Sequence, residues 1–284
     1  MDAPGGSAPE PPPGGQRPPG PLALASGKLL HDEPADGVAR LRIHNEQRRG
    51  ALDHELLDTL ADTVAGLDAR CLVLTGTGPV FSAGYDLGNL EGREFEQSAE
   101  KLVAHPFHAA IEALEAFPFP VVGALNGHTI GGGLELALTC DIRIAARGIK
   151  LGMPPAKLGL VYSHTGLRKF LDVVGPALTA ELFFVGRNVD AGRAAEIGLV
   201  NHVVEPGELE EVAGAMAAEI ASNAPLSLRG NKRILRELRA HAAALPPDVE
   251  KELVELRESC FRTEDFREGV KAFGEKRAPD WKGR

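Results

Sequence analysis

Apolar and polar positions alternate along Val38–His44, the period of a half-buried strand. Over Asp53–Ala65 the spacing changes to that of a helix, with Leu56, Leu57, Leu60 and Val64 on one stripe. Cys71–Thr75 is a short apolar run before a Gly-Thr-Gly-Pro turn and reads as a buried strand. A helical pattern follows around Ala99–Ala116, ended by Pro118 and Pro120. Val121–Leu125 is a second buried strand that feeds towards the triplet Gly131-Gly132-Gly133, and Asp141–Ala145 is a third. This strand–helix alternation predicts an α/β fold with helices packed on sheets. From about Thr165 the chain reads as almost wholly helical, with helices near 166–174, 177–185, 191–197 and 208–222. Three more follow Pro225, near 226–241, 248–261 and 264–273, rich in charge. A helical appendage of this kind is expected to pack on a partner subunit rather than on its own core.

Composition limits the picture further. Residues 1–26 hold most of the low-complexity sequence, including Pro11-Pro12-Pro13, and read as a disordered tail that buries too little surface to fold. Order is expected to begin near Lys28, with a core over residues 27–222 and a helical C-terminal region over 223–284. At 284 residues and 43% apolar content the chain can bury a large core. Its net charge of −9, without a long basic run, argues against a nucleic-acid partner. Cys71, Cys140 and Cys260 are odd in number and far apart, which fits a reduced cytoplasmic compartment better than a disulfide scaffold. No apolar run approaches ~20 residues, so no membrane span is expected, and no secretory leader pattern opens the chain.

Two loops carry candidate chemistry. Phe81-Ser82-Ala83-Gly84-Tyr85-Asp86-Leu87 has small residues just before Tyr85. The other is the glycine triplet, which opens an apolar helix and places Glu135 two residues past its last glycine. Glycines let a backbone approach a ligand without a Cβ in the way, and the first N–H groups of a helix have no intrahelical partner. Two such loops at the ends of neighbouring strands could each aim one N–H at a shared oxygen, as an oxyanion hole does. Ordinary tight turns are the alternative. No Cys-x-x-Cys, His-x3-His or carboxylate cluster suggests a metal. The triplet lacks the Lys-Ser/Thr of a phosphate loop, and no Gly-x-Gly-x-x-Gly joins a strand to a helix.

The pair Phe81-Ser82-Ala83-Gly84-x-Asp86-Leu87 and Asn126-Gly127-x3-Gly131-Gly132-Gly133-x-Glu135-Leu136-Ala137, followed by Cys140-Asp141, resembles the enoyl-CoA hydratase/isomerase (crotonase) family. Arg48-Arg49-Gly50-Ala51-Leu52 is similar to that family's early CoA-contacting loop, Ala191–Val204 to its A-x-x-x-G-L-V segment, and Glu268–Arg277 to its C-terminal ending. The resemblance implies a spiral of ββα units with a helical trimerisation region, and hence a homotrimer or dimer of trimers. It implies an acyl-CoA thioester substrate, coenzyme A entering as part of it and no separate cofactor or metal. The thioester oxygen would sit between the N–H groups of Tyr85 and Gly132, with Arg48, Ala51, Ala83, Asp86 and Leu87 along the CoA. Asp86 is expected to hold its loop rather than to catalyse. Phe273 and Lys276 would approach the nucleotide end of CoA on a neighbouring subunit.

Glu135 matches one of the two catalytic glutamates of the hydratases, and burial between Leu134 and Leu136 should raise its pKa. The second glutamate is absent: Pro154-Pro155 stands where the family has Pro-Glu. Leu158-Gly159-Leu160-Val161-Tyr162-Ser163 resembles the methylmalonyl-CoA decarboxylase branch, in which a non-acidic residue fills that slot and a tyrosine follows Leu-Gly; a histidine of that branch is Tyr85 here. Tyr162 could hold a substrate carboxylate or donate a proton. Three readings follow: decarboxylase of a 2-carboxyacyl-CoA, slightly favoured; hydratase or isomerase using Glu135 alone; and a non-catalytic acyl-CoA binder.

Overall fold

The computed structural model describes residues 20–85, 106–242, 246–282 and 284. Its architecture is a repeated ββα unit. In three successive repeats one strand joins a seven-stranded sheet, the next joins a four-stranded sheet, and a helix follows. Strands β1 (Leu22–Leu24), β2 (Leu29–Ala35) and β3 (Val38–Ile43) form an antiparallel edge on the larger sheet. The order then continues in parallel through β4 (Cys71–Gly76), β6 (Val121–Leu125), β8 (Ile142–Ala146) and β11 (His202–Val204). The smaller sheet runs β10 (Val189–Asp190), β9 (Lys150–Gly152), β7 (His128–Ile130), β5 (Val80–Ser82). The expected crotonase spiral is therefore present.

The elements form for local reasons. Helix α1 (His54–Ala65) is capped by Asp53, whose side chain accepts the N–H of Leu56 at 2.9 Å, and buries the four apolar residues of its stripe. Every residue of β6 is buried, as its unbroken apolar run requires. Helix α2 (Pro106–Ala116) packs on α1, and α3 (Gly132–Thr139) is buried along its whole length. Helix α4 (His164–Ala180) is capped by Ser163 and interrupted at Gly175, whose φ of 77° breaks the helical run. Helices α5 (Ala191–Glu196) and α6 (Leu209–Ser222) follow, α6 lying on β4, β6 and β8.

Four differences from the sequence reading have physical causes. Strand β1 lies inside the segment read as tail, because its backbone pairs with β2 although two of its three side chains are exposed. Strands β5, β7, β9 and β10 are two or three residues long, too short to show a period. The stretch after Thr165 is not wholly helical, since His202–Val204 pairs with Ile144–Ala146 and ends the larger sheet. Helices α8 (Pro247–Cys260) and α9 (Glu264–Glu275) pack on the chain's own segment 158–161 rather than away from it. There the Cys260 thiol donates to the Gly159 carbonyl at 2.9 Å and accepts the Val161 N–H at 3.2 Å. Helix α7 (Pro225–Ala242) is tied down by Lys232, which donates to the Phe119 carbonyl at 2.8 Å and pairs with Asp141 at 2.9 Å.

The two sheets meet the helices where α3 begins, and the approach is close enough to need glycine. A Cβ on Gly133 would lie 2.4 Å from the Ser82 carbonyl oxygen, which leaves backbone no room to yield. Gly133→Ala should therefore lower stability by about 1–3 kcal/mol or prevent folding, read as a fall in melting temperature. Gly214→Ala, whose Cβ meets open space within α6, should raise it. A Gly133→Ala protein as stable as the parent would show that this approach is not tight.

Candidate active site

The loops after β5 and β7 leave two neighbouring parallel strands, paired Val80 to His128 and Ser82 to Thr129. These short strands, rather than the long buried ones, deliver both loops. Each glycine of the triplet answers a different demand. Gly131 has φ 58° and ψ −125°, a backbone that side chains disfavour. A Cβ on Gly132 would meet the Tyr85 ring at 3.2 Å, and one on Gly133 would strike Ser82. On the opposite loop a Cβ on Gly84 would come within 3.0 Å of the Gly132 nitrogen, so the two backbones are in contact. Gly132 is the first residue of α3, where an N–H has no intrahelical acceptor. Among the described residues, no hydrogen bond uses the N–H of Gly132 or that of Tyr85.

A third loop braces this pair. Ala83 N–H donates to the Arg49 carbonyl, Leu52 N–H to the Gly84 carbonyl, and the Ser82 hydroxyl to the Gly50 carbonyl, at 3.0, 2.8 and 2.7 Å. The segment Arg48–Leu52 thus lies along the loop that ends at Tyr85, with Ala51 buried and Arg48 exposed. Asp86 and Leu87 lie outside the described residues. Phe273 and Lys276 sit at the exposed end of α9, Lys276 closing that helix with φ 54°.

Glu135 and Tyr162, 27 positions apart, come together. The Tyr162 hydroxyl donates to Glu135 Oε2 at 2.5 Å, and Tyr85 shares a small cavity with Tyr162. Gly166 permits the meeting: a Cβ there would lie 2.5 Å from the Tyr162 ring and 2.9 Å from Glu135 Oε2. The rings are fixed edge-on, Tyr85 against Phe107 and Tyr162 against Phe183, with centroids 4.9 and 5.5 Å apart. Glu135 is only 4% exposed, and burial raises its pKa above the usual carboxylate value. The Tyr162 hydroxyl and the more distant Lys169 oppose that rise. Burial also pushes both tyrosine hydroxyls well above their ordinary range, and the nearby Glu135 charge adds to it. These three groups are therefore poised to carry protons rather than charge.

Pro155 is buried at the start of the 3₁₀ turn Pro155–Leu158 and offers no proton. The small cavity beside Tyr85 and Tyr162 is lined also by Leu160, Val161, Ser163, Arg257 and Phe261, none of them acidic. It measures about 10 Å³, room for about one water, so an acyl group must displace side chains to enter. Arg257 and Phe261 come from the C-terminal helices and were not foreseen, because a charge-rich helix gives no sign of which charge faces inward. Cys140 is a core residue, its thiol pushed up to about 12 by burial. His128 accepts the Lys150 N–H and His164 faces Glu250 at 3.5 Å, so each has a structural partner. No cluster of metal-ligating side chains occurs among the described residues.

Paired glycine loops on a ββα spiral, with a buried acid beside them, define an enzyme class that works on acyl-CoA thioesters. Residues 33–284 match the enoyl-CoA hydratase/isomerase family model, and the chain belongs to that family. It is 35% identical to YngF of Bacillus subtilis over 260 residues, covering 90% of this chain and 98% of YngF. It is 33% identical to the crotonyl-CoA hydratase of Syntrophomonas wolfei, covering 86% and 94% of the two chains. Its structure is similar to that of a methylmalonyl-CoA decarboxylase in complex with 2-nitronate-propionyl-CoA, with a TM-score of 0.82 at 28% identity over 90% of this chain and 99% of that one.

The raised pKa of Glu135 has a stability consequence of definite sign. Its folded value lies above the unfolded value of 4.5, so folding favours the protonated acid. The resulting penalty is absent at low pH and grows as pH rises from the unfolded towards the folded pKa. Glu135→Gln should melt above the parent at about pH 8 and coincide with it at about pH 4. A difference that does not change with pH would show that Glu135 ionises in the fold as it does in water.

Proposed function

We propose that the chain decarboxylates a 2-carboxyacyl-CoA of the methylmalonyl-CoA type. The observation that carries this reading is that Glu135, which touches Tyr162, is the one carboxylate seen at the site among the described residues, while the buried Pro155 stands where the family resemblance puts a second acid. Hydration must activate a water and protonate a carbon, tasks usually divided between two acids. Decarboxylation needs only that the C–C bond pair flow into the thioester as carbon dioxide leaves, giving an enolate whose oxygen two amides can hold. In this reading the N–H groups of Tyr85 and Gly132 hold that oxygen. The Tyr162 hydroxyl then gives its proton to the α-carbon, and Glu135, whose burial favours the protonated form, restores it and regains its own proton from solvent. The aromatic lining strips water from the substrate carboxylate, which favours its loss. The structural likeness to methylmalonyl-CoA decarboxylase agrees with this assignment.

A second reading, hydration or isomerisation of an enoyl-CoA by Glu135 alone, is favoured by the raised pKa of that acid and by relatives such as crotonyl-CoA hydratase. For assembly we propose a homotrimer or a dimer of trimers: α7 leaves Leu226, Ile234, Leu235 and Leu238 exposed, an apolar ridge suited to a subunit contact. In that assembly Phe273 and Lys276 would reach the CoA of a neighbouring subunit. A monomer in light scattering would contradict this arrangement.

Incubation with methylmalonyl-CoA should yield propionyl-CoA and carbon dioxide by mass spectrometry, and Tyr162→Phe should slow it by about 10²–10⁴. Crotonyl-CoA gaining one water, in a reaction lost in Glu135→Gln but not in Tyr162→Phe, would instead establish the second reading. Tight binding of both esters with no turnover would contradict both and leave an acyl-CoA binder.

A further inference from the structure

Arg257, near the end of α8, is one of the seven residues around the small cavity that Tyr85 and Tyr162 share. Its Nε is buried and has no hydrogen-bond partner among the described residues. Among the residues that line the cavity none is acidic, and no ion pair of Arg257 occurs among the described residues. Arg257 instead directs its charge at the site, where it favours the ionised forms of Glu135 and Tyr85. A guanidinium is always charged, and its planar fork matches the two oxygens of a carboxylate. A carboxylate on an acyl group buried among these mainly apolar side chains would otherwise lack a counter-charge.

We infer that Arg257 is the specificity residue of the acyl pocket, pairing its guanidinium with a carboxylate carried on the acyl group of the substrate. The inference rests on the reading that this cavity receives the acyl group, but not on which reaction follows. The pairing is made in the ground state and is lost when carbon dioxide, a neutral molecule, forms. Arg257 therefore acts on the binding of carboxylated substrates, and its removal should raise KM and kcat together. It also gives the C-terminal helices a part in substrate choice.

Two inert thioethers of one shape separate charge from size: 2-carboxypropyl-CoA and isobutyl-CoA, the second bearing a methyl in place of the carboxylate. In calorimetric titration the parent protein should bind the carboxylated thioether about tenfold or more tighter. Arg257→Met should abolish that preference while leaving isobutyl-CoA affinity within about twofold, and Arg257→Lys should keep part of it. Tighter binding of 3-carboxypropyl-CoA, with the same dependence on Arg257, would also support the pairing and put the carboxylate at the chain end. A parent protein without the preference, or an Arg257→Met protein that retains it, would overturn the inference. If methylmalonyl-CoA is decarboxylated while the preference ignores Arg257, only this inference fails. If the preference depends on Arg257 but nothing is decarboxylated, only the reaction assignment fails.

Discussion

The approach of Gly133 to the Ser82 backbone is the constraint on which the site depends. No side chain fits there, since a Cβ would lie 2.4 Å from a carbonyl oxygen. Because the two backbones touch, the first turn of α3 and the loop ending at Tyr85 share one place, and the N–H of Gly132 emerges beside Gly84. Parallel pairing of β5 with β7 sets the height of the loops, and the bracing contacts from Arg49, Gly50 and Leu52 keep the first from moving away. Donors held in this way need no reorganisation when negative charge develops, which is why such pairs stabilise an enolate better than water does.

Around this fixed frame the electrostatics push every titratable group towards its neutral form. Glu135 is buried on an apolar helix and reached by one hydroxyl, and both tyrosines are themselves desolvated. Arg257 is the exception, a permanent positive charge at the rim of the same cavity. With Arg257 the one cation among the described residues lining the cavity, the site favours an anion that arrives with the substrate. The stability lost by burying Glu135 is the counterpart of its raised affinity for a proton.

Much of this was legible in the residues. The order of strand and helix, the glycine triplet, Glu135 and Tyr162 each stood in a local pattern, and the family resemblance joined them. The contact between Glu135 and Tyr162 was not, because it depends on Gly166 lacking a Cβ on a helix whose sequence shows no reason for it. Strands β5 and β7 were invisible because two or three residues carry no period, although they alone put the loops side by side. Arg257 was hidden for a different reason. In a helix as charged as Pro247–Cys260, the inward side chain is chosen by the packing of Cys260 and Phe261 on segment 158–161, a contact about a hundred positions distant in the chain.

The central claim is that two preset amides hold a thioester enolate, and affinity for an enolate mimic tests it most directly. The nitronate of 2-nitropropionyl-CoA carries the enolate's delocalised charge and planarity, whereas propionyl-CoA keeps the acyl chain but lacks the nitro group and with it both properties. If Tyr85 and Gly132 present their N–H groups as described, calorimetry should find the nitronate bound at least about 10²-fold tighter. Equal affinity for the two would contradict the account.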